Sequence, residues 1–201
     1  EGFIDEAAAA GIDVFRVFDS LNDLDSMRVS VERVLKTGKI AEVAVCYTGD
    51  VDNPARTKYG LDYYADLARR AEDLGAHILC VKDMAGLLRP QAARMLMARL
   101  LEVTDLPIHL HTHDTSGNGI ATYMAAIESG VHIVDIALSP MAGLTSQPSM
   151  NALIAALRGA PRETGLMNKV LQPLADYWEA VREYYAPFEC GLKSSTSEVY
   201  Y

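Results

Sequence analysis

Four times along the chain, a run with helical apolar spacing stops at a glycine and gives way within a few residues to a β-branched apolar run. The four segments are AAAAGIDVFRVFD, LKTGKIAEVAVCY, EDLGAHILCVKD and IESGVHIVDIAL. Gly11, Gly38, Gly75 and Gly130, lacking Cβ, suit the left-handed residue that closes a helix. A fifth apolar run, LPIHLHTH, is entered through Pro107. Strands are therefore expected to start near 13, 41, 77, 107 and 132, with amphipathic helices over about 23 to 37, 60 to 74, 90 to 102, 118 to 129 and 147 to 158. A sixth helix, about 168 to 185, has no strand after it. This βαβα order predicts parallel strands joined by right-handed crossovers. Both an open doubly wound sheet and part of a (β/α)8 barrel accept it, and in both the site gathers at the carboxyl ends of the strands.

Composition narrows the partners. The chain has 201 residues, 50% of them hydrophobic and 22% charged, which suits a globular domain with a sizeable core. A formal charge of −9, with Lys and Arg scattered rather than striped, argues against a nucleic-acid surface. Three widely spaced cysteines, Cys46, Cys80 and Cys190, speak for a reducing compartment rather than a disulfide framework or a zinc ribbon. No stretch approaches the ~20 apolar residues that span a bilayer. No GxGxxG follows the first strand and no GxxxxGK[ST] occurs, so those nucleotide-binding devices lack support and the open-sheet alternative loses ground. The opening EGFIDEAAAAG, without an initiator Met, reads as a helix already under way, and a fragment of a longer protein is expected.

The candidate chemistry lies in HLHTHD, residues 109 to 114, which holds three of the five histidines at alternate positions. Strand side chains alternate faces, so His109, His111 and His113 point the same way, inward in a barrel. Imidazoles at i and i+2 can share one metal ion without bending the backbone. His111 and His113, at the open end, are the expected ligands, and His109, deeper, is assigned to packing. His77 and His132 open their strands, far from the carboxyl end, and are given no role in a site. The preceding strand ends in Lys82-Asp83; Ile78, Cys80 and Lys82 share one face and Asp83 takes the other. If the small Cys80 faces a crowded interior, Lys82 points at the site. An ammonium repels a cation and offers no lone pair, but reaction with CO2 converts a neutral amine to a carbamate, a carboxylate on a long arm. The competing reading of Lys82 is an ordinary loop salt bridge.

FRVFDSLN (15 to 22), YTGD (47 to 50), VKDMAGLL (81 to 88), HTHDTSG (111 to 117) and GLTSQPSM (143 to 150) carry a resemblance over essentially the whole chain. Together they resemble the carboxyltransferase domains of pyruvate carboxylases, within the biotin-dependent carboxyltransferase family. The resemblance implies a partial (β/α)8 TIM barrel, strands four to eight with the first three missing, over residues 1 to 160. Residues 161 to 201 would begin a C-terminal helical extension of the same domain. It implies a divalent metal (Zn, Mn or Co) held by Lys82 as carbamate, His111 and His113, and transfer of CO2 from carboxybiotin to pyruvate, giving oxaloacetate. Biotin is then carried on another domain, and ATP is used only at a separate biotin carboxylase domain of the same full-length protein. A homo-oligomer in the cytoplasm, or in the mitochondrial matrix of a eukaryote, is expected.

The same resemblance assigns an aspartate ligand and the arginine and glutamine that hold pyruvate to the missing strands, and a proton-relaying threonine to a position beyond Tyr201. The fragment alone is expected to be inactive and, with two bare sheet edges, poorly folded. Asp19 either orients an arginine or the substrate or caps the helix of DSLNDLDSM. Asp114, Thr115 and Ser116 suit caps for the next helix, with Asp114 also a candidate acceptor for an imidazole N–H behind the metal. Ser146 and Pro148 suit the start of the last barrel helix. Biotin-dependent oxaloacetate decarboxylase and transcarboxylase subunits share KDMAG and the paired histidines, although decarboxylases read closer to HSHATTG. Amidohydrolase-type metal enzymes place HxH before the lysine, the reverse of the order here. A metal-free scaffold is the non-enzymatic alternative.

Overall fold

The computed structural model describes residues 2–201. A first helix, α1 (Gly2–Ala9), leads into β1 (Val14–Phe18), and the chain then alternates through α2 (Leu24–Lys36), β2 (Ile40–Cys46), α3 (Leu61–Asp73), β3 (Ile78–Asp83), α4 (Pro90–Leu101), β4 (Ile108–Thr112), α5 (Gly119–Glu128) and β5 (Ile133–Val134). Helices α6 (Met150–Ala156) and α7 (Asn168–Tyr185) follow. The five strands form one parallel sheet in the order β1-β2-β3-β4-β5. That order decides between the two architectures. A doubly wound sheet reverses direction at a switch point, whereas strands added one after another in sequence order are those of a (β/α)8 barrel. The fold is part of such a barrel.

The core lies between the outer face of the strands and α2 to α6. Phe15, Val43, Val45, Leu79, Val81, Ile108 and Leu110 meet Met27, Val31, Tyr64, Leu67, Leu96, Met97, Tyr123 and Leu153 in one apolar cluster. The glycine rule holds: Gly75 and Gly130, which close α3 and α5, sit at φ 91° and 107°, and a Cβ on either would lie 2.9 Å from a leucine methyl of a neighbouring helix, Leu35 of α2 or Leu101 of α4. Asp5 grips the Arg33 guanidinium with both carboxylate oxygens and so ties α1 to α2. At the amino ends of the strands, His77 Nδ1 accepts the Ala41 N–H and His132 Nδ1 accepts the Ile108 N–H, both at 3.0 Å. Those two histidines satisfy backbone N–H groups at the strand starts.

The helix caps correct two expectations. The N-cap of α2 is Asp23, whose carboxylate accepts from the Asp25 and Ser26 N–H groups, not Asp19. The N-cap of α6 is Ser149, which accepts from Ala152 N–H, rather than Ser146 or Pro148. The last barrel helix is accordingly shorter than 147 to 158. No described helix is long and apolar enough to cross a membrane.

Candidate metal centre

Strand parity sends one set of side chains inward: Arg16 and Phe18 from β1, Glu42, Ala44 and Cys46 from β2, Cys80 and Lys82 from β3, and His109 and His111 from β4. Asp135 follows β5 directly. The register sets Cys80 opposite His109 and Lys82 opposite His111. Two levels result, a buried charged floor and a polar mouth.

At the floor, Arg16 Nε donates to Glu42 Oε1, and Arg16 Nη2 lies 2.9 Å from Asp135 Oδ2. His109 stands between the same two acids, with Nδ1 3.2 Å from Glu42 Oε2 and Nε2 2.9 Å from Asp135 Oδ1. Both ring nitrogens face carboxylates, at shorter range than the 3.3 and 3.5 Å to Arg16 Nη2, an arrangement that favours the imidazolium, which can donate from both. Burial opposes that charge, but the hydrogen bonds to Asp135 and Glu42 outweigh it and push the His109 pKa up to about 8. For Asp135, burial works against the anion, yet the His109 and His111 hydrogen bonds and the Arg16 charge hold its carboxyl well below the usual range. Glu42 is lowered the same way, against its burial, by His109 and Arg16. Two cations thus meet two anions and the floor is neutral. Burial pushes the adjacent Cys80 thiol far up, so it stays protonated. Glu42, Cys80 and His109 bring potential ligand atoms within 4.8 Å of one another. Arg16 occupies the glutamate, the thiol is neutral and the imidazolium has no lone pair, so this trio does not suit a cation. His109 is therefore a charge hub, not the packing residue expected.

At the mouth, the rings of His111 and His113 lie 5.1 Å apart. His111 Nδ1 is 2.7 Å from Asp135 Oδ2, and His113 Nδ1 is 2.7 Å from the Thr145 carbonyl oxygen. Carboxylate and carbonyl can only accept, and these 2.7 Å contacts are far shorter than the 3.4 Å from Arg16 Nη1 to His111 Nδ1, so the geometry favours a proton on each Nδ1 and a lone pair on each Nε2. Such an imidazole, anchored at one nitrogen and open at the other, is the form that binds a metal. Lys82 points inward as parity requires. Its ammonium leans across β2 onto Phe18, 4.4 Å from the ring centroid. Asp83, on the opposite face and fully buried, accepts from Leu87 N–H, Leu88 N–H and the Thr112 hydroxyl, folding the loop after β3 back onto the barrel. Gly86 in that loop has φ 69°, and a Cβ there would lie 2.7 Å from the His113 carbonyl oxygen. KDMAG therefore turns Lys82 in, caps its own loop with Asp83, and lays Gly86 against the backbone of the second histidine.

Lys82 and His111 are register partners and the His111 and His113 rings are neighbours, but the Lys82 ammonium lies on the Phe18 side of the mouth, and the two candidate acids make contacts of their own. Asp19 Oδ2 accepts from Leu21 and Asp23 N–H, closing the turn before α2. Asp114 Oδ1 accepts from Gly119 N–H at the start of α5. The imidazole acceptors are Asp135 and the Thr145 carbonyl, which corrects the expectation placed on Asp114. Arg16, Glu42 and Asp135 escaped the sequence analysis. Their signal is a charge set among apolar neighbours in VFRVF, IAEVAVC and IVDIAL, where a buried charge requires an opposite partner.

A barrel sheet with a polar mouth at its carboxyl ends defines a (β/α)8 enzyme domain. The chain belongs to the HMGL-like family, whose model matches residues 4–177. It is 52% identical over 98% of its length to pyruvate carboxylase of Bacillus subtilis and 48% identical to the mitochondrial pyruvate carboxylase of Homo sapiens. It spans 17% of the length of these relatives. The carboxyl transferase domain of Rhizobium etli pyruvate carboxylase, solved with pyruvate and biocytin, superimposes with a TM-score of 0.97 at 52% identity, over 98% of this chain and 33% of that one.

Proposed function

We propose that this chain supplies the metal-holding side of a carboxyltransferase site that moves a carboxyl group from carboxybiotin to pyruvate. The observation that carries the reading is the mouth itself. Lys82 and His111 are register partners, and His111 and His113 both offer a free Nε2. Overall, the pyruvate methyl carbon loses a proton and bonds to the carboxyl carbon, the N–C bond of carboxybiotin breaks, and the proton passes to the biotin nitrogen. Lys82 as a carbamate, His111 and His113 would hold a divalent cation, which when bound would supply Lewis acidity toward the keto oxygen of pyruvate. Lys82 as a carbamate offers an anionic oxygen, and His111 and His113 offer Nε2. The Asp135 carboxylate and the Thr145 carbonyl lie 2.7 Å from the Nδ1 atoms of those two rings.

The remaining chemistry is assigned to the same full-length protein. A biotin carboxylase domain using ATP and a biotin carrier domain would load the carboxyl group, in a homo-oligomer of the cytosol or, in a eukaryote, the mitochondrial matrix. Residues 161–201 belong with the helical extension of the domain. The test is carboxylation by the full-length protein. Pyruvate should give oxaloacetate only with ATP and bicarbonate, and His111→Ala and His113→Ala should each lower kcat at least 100-fold without loss of fold. Oxaloacetate decarboxylation that needs neither ATP nor bicarbonate, with no carboxylation of pyruvate, would replace this reading by the decarboxylase one.

A further inference from the structure

We propose that Asp135 is a positioning residue for His111: its carboxylate fixes the imidazole as the Nδ1–H tautomer and aims the Nε2 lone pair into the mouth, while Arg16 and His109 clamp that carboxylate in place. The inference rests on the reading of His111 as a metal ligand and adds a residue outside the strand pair that bears Lys82 and His111.

The geometry is specific. Asp135 Oδ2 lies 2.7 Å from His111 Nδ1 and 2.9 Å from Arg16 Nη2, and Oδ1 lies 2.9 Å from His109 Nε2. Both oxygens are engaged, so Asp135 acts through His111 and is not itself a ligand. Turning the carboxylate away from any one donor disrupts its bonds to the others. The main chain is pinned too, since the Tyr123 hydroxyl donates to the Asp135 carbonyl. His113 offers a contrast within the same mouth. Its Nδ1 is held by the Thr145 backbone carbonyl, which no side-chain substitution removes. Of the two imidazoles, only His111 depends on a replaceable side chain for its orientation.

The experiment uses the full-length protein with Asp135→Leu, which keeps bulk without an acceptor, and Asp135→Asn, which keeps an acceptor oxygen without the charge. Two quantities are read: Mn(II) affinity by electron paramagnetic resonance, and the His111 ring orientation in metal-free crystals. Asp135→Leu is expected to weaken Mn(II) binding about 10- to 100-fold and to release the ring. Asp135→Asn should restore the ring orientation and return affinity to within about tenfold of wild type. Wild-type affinity and an unmoved ring in Asp135→Leu overturn the proposal. So does an equal loss in both variants tracking a fall in Tm, because a purely structural role would not separate them. If the wild-type protein binds no Mn(II), the metal reading of the mouth fails, and the crystal readout still decides whether Asp135 sets the ring.

Discussion

Arg16→Met tests the charged floor. The guanidinium lies between Glu42, 3% exposed, and Asp135, 29% exposed. Removing it leaves Glu42 with His109 as its one remaining cationic partner among the described residues. Breaking one side of a buried ion pair costs about 3–5 kcal/mol. Arg16 is itself 27% exposed and water reaches Asp135, so the lower end, about 3 kcal/mol, is expected. In the full-length protein a global unfolding energy is ill defined, so the readout is local hydrogen exchange of the β1 and β2 amides. A loss of about 3 kcal/mol accelerates exchange roughly a hundredfold. Glu42→Met added to Arg16→Met removes the stranded carboxylate together with its partner. The double variant should therefore recover at least about 2 kcal/mol relative to the sum of the singles. Strict additivity, or less than a threefold acceleration in Arg16→Met, would refute the account of a coupled floor.

Gly86→Ala forces a Cβ to 2.7 Å from the His113 carbonyl at positive φ; metal content should fall while circular dichroism stays close to wild type. Burial raises the pKa of fully buried Tyr64 and Tyr123, so the unfolded chain loses the phenolic proton first. Stability is then intact below about pH 10 and declines above it by about 1.4 kcal/mol per pH unit per group. Tyr64→Phe should make the alkaline denaturation profile shallower, and an unchanged slope would contradict this. In the native protein Cys190 should react with iodoacetamide while Cys46 and Cys80, buried and held as neutral thiols, resist until unfolding; mass spectrometry of the alkylated peptides decides.

Most strand and helix positions are legible because four helices, α1, α2, α3 and α5, end on a glycine in the left-handed region, followed by an apolar run, while β4 is announced by Pro107 instead. Periodicity alone suits both a barrel and a doubly wound sheet; the barrel is legible through the missing nucleotide-binding glycine motifs and the family resemblance, and the strand order β1-β2-β3-β4-β5 agrees with it. Within the site, parity alone turned Lys82, His111 and His113 to one side. The partners of the imidazoles were hidden for different reasons. Asp135 comes from a strand of only two residues, Ile133 and Val134, too short to show alternation. Thr145 contributes a backbone carbonyl, which no side-chain pattern reveals. Asp114 is open to two roles, and its carboxylate accepts from the Gly119 N–H at the start of α5, in keeping with the capping role rather than the imidazole one. The cap of α2 is Asp23, four residues beyond Asp19, whose own carboxylate closes the preceding turn.

The decisive quantity is the chemical state of the Lys82 side-chain nitrogen. As an ammonium it rests on the Phe18 ring, toward β1; as a carbamate it is an anion, repelled by that ring face and drawn toward a cation at His111 and His113. Carbon-13 NMR of the full-length protein equilibrated with labelled bicarbonate reports the state directly. One carbamate resonance, absent in Lys82→Met and broadened by Mn(II), is the predicted result. A spectrum without that resonance, together with crystals showing a plain amine on Phe18 while Mn(II) is bound, would contradict the account.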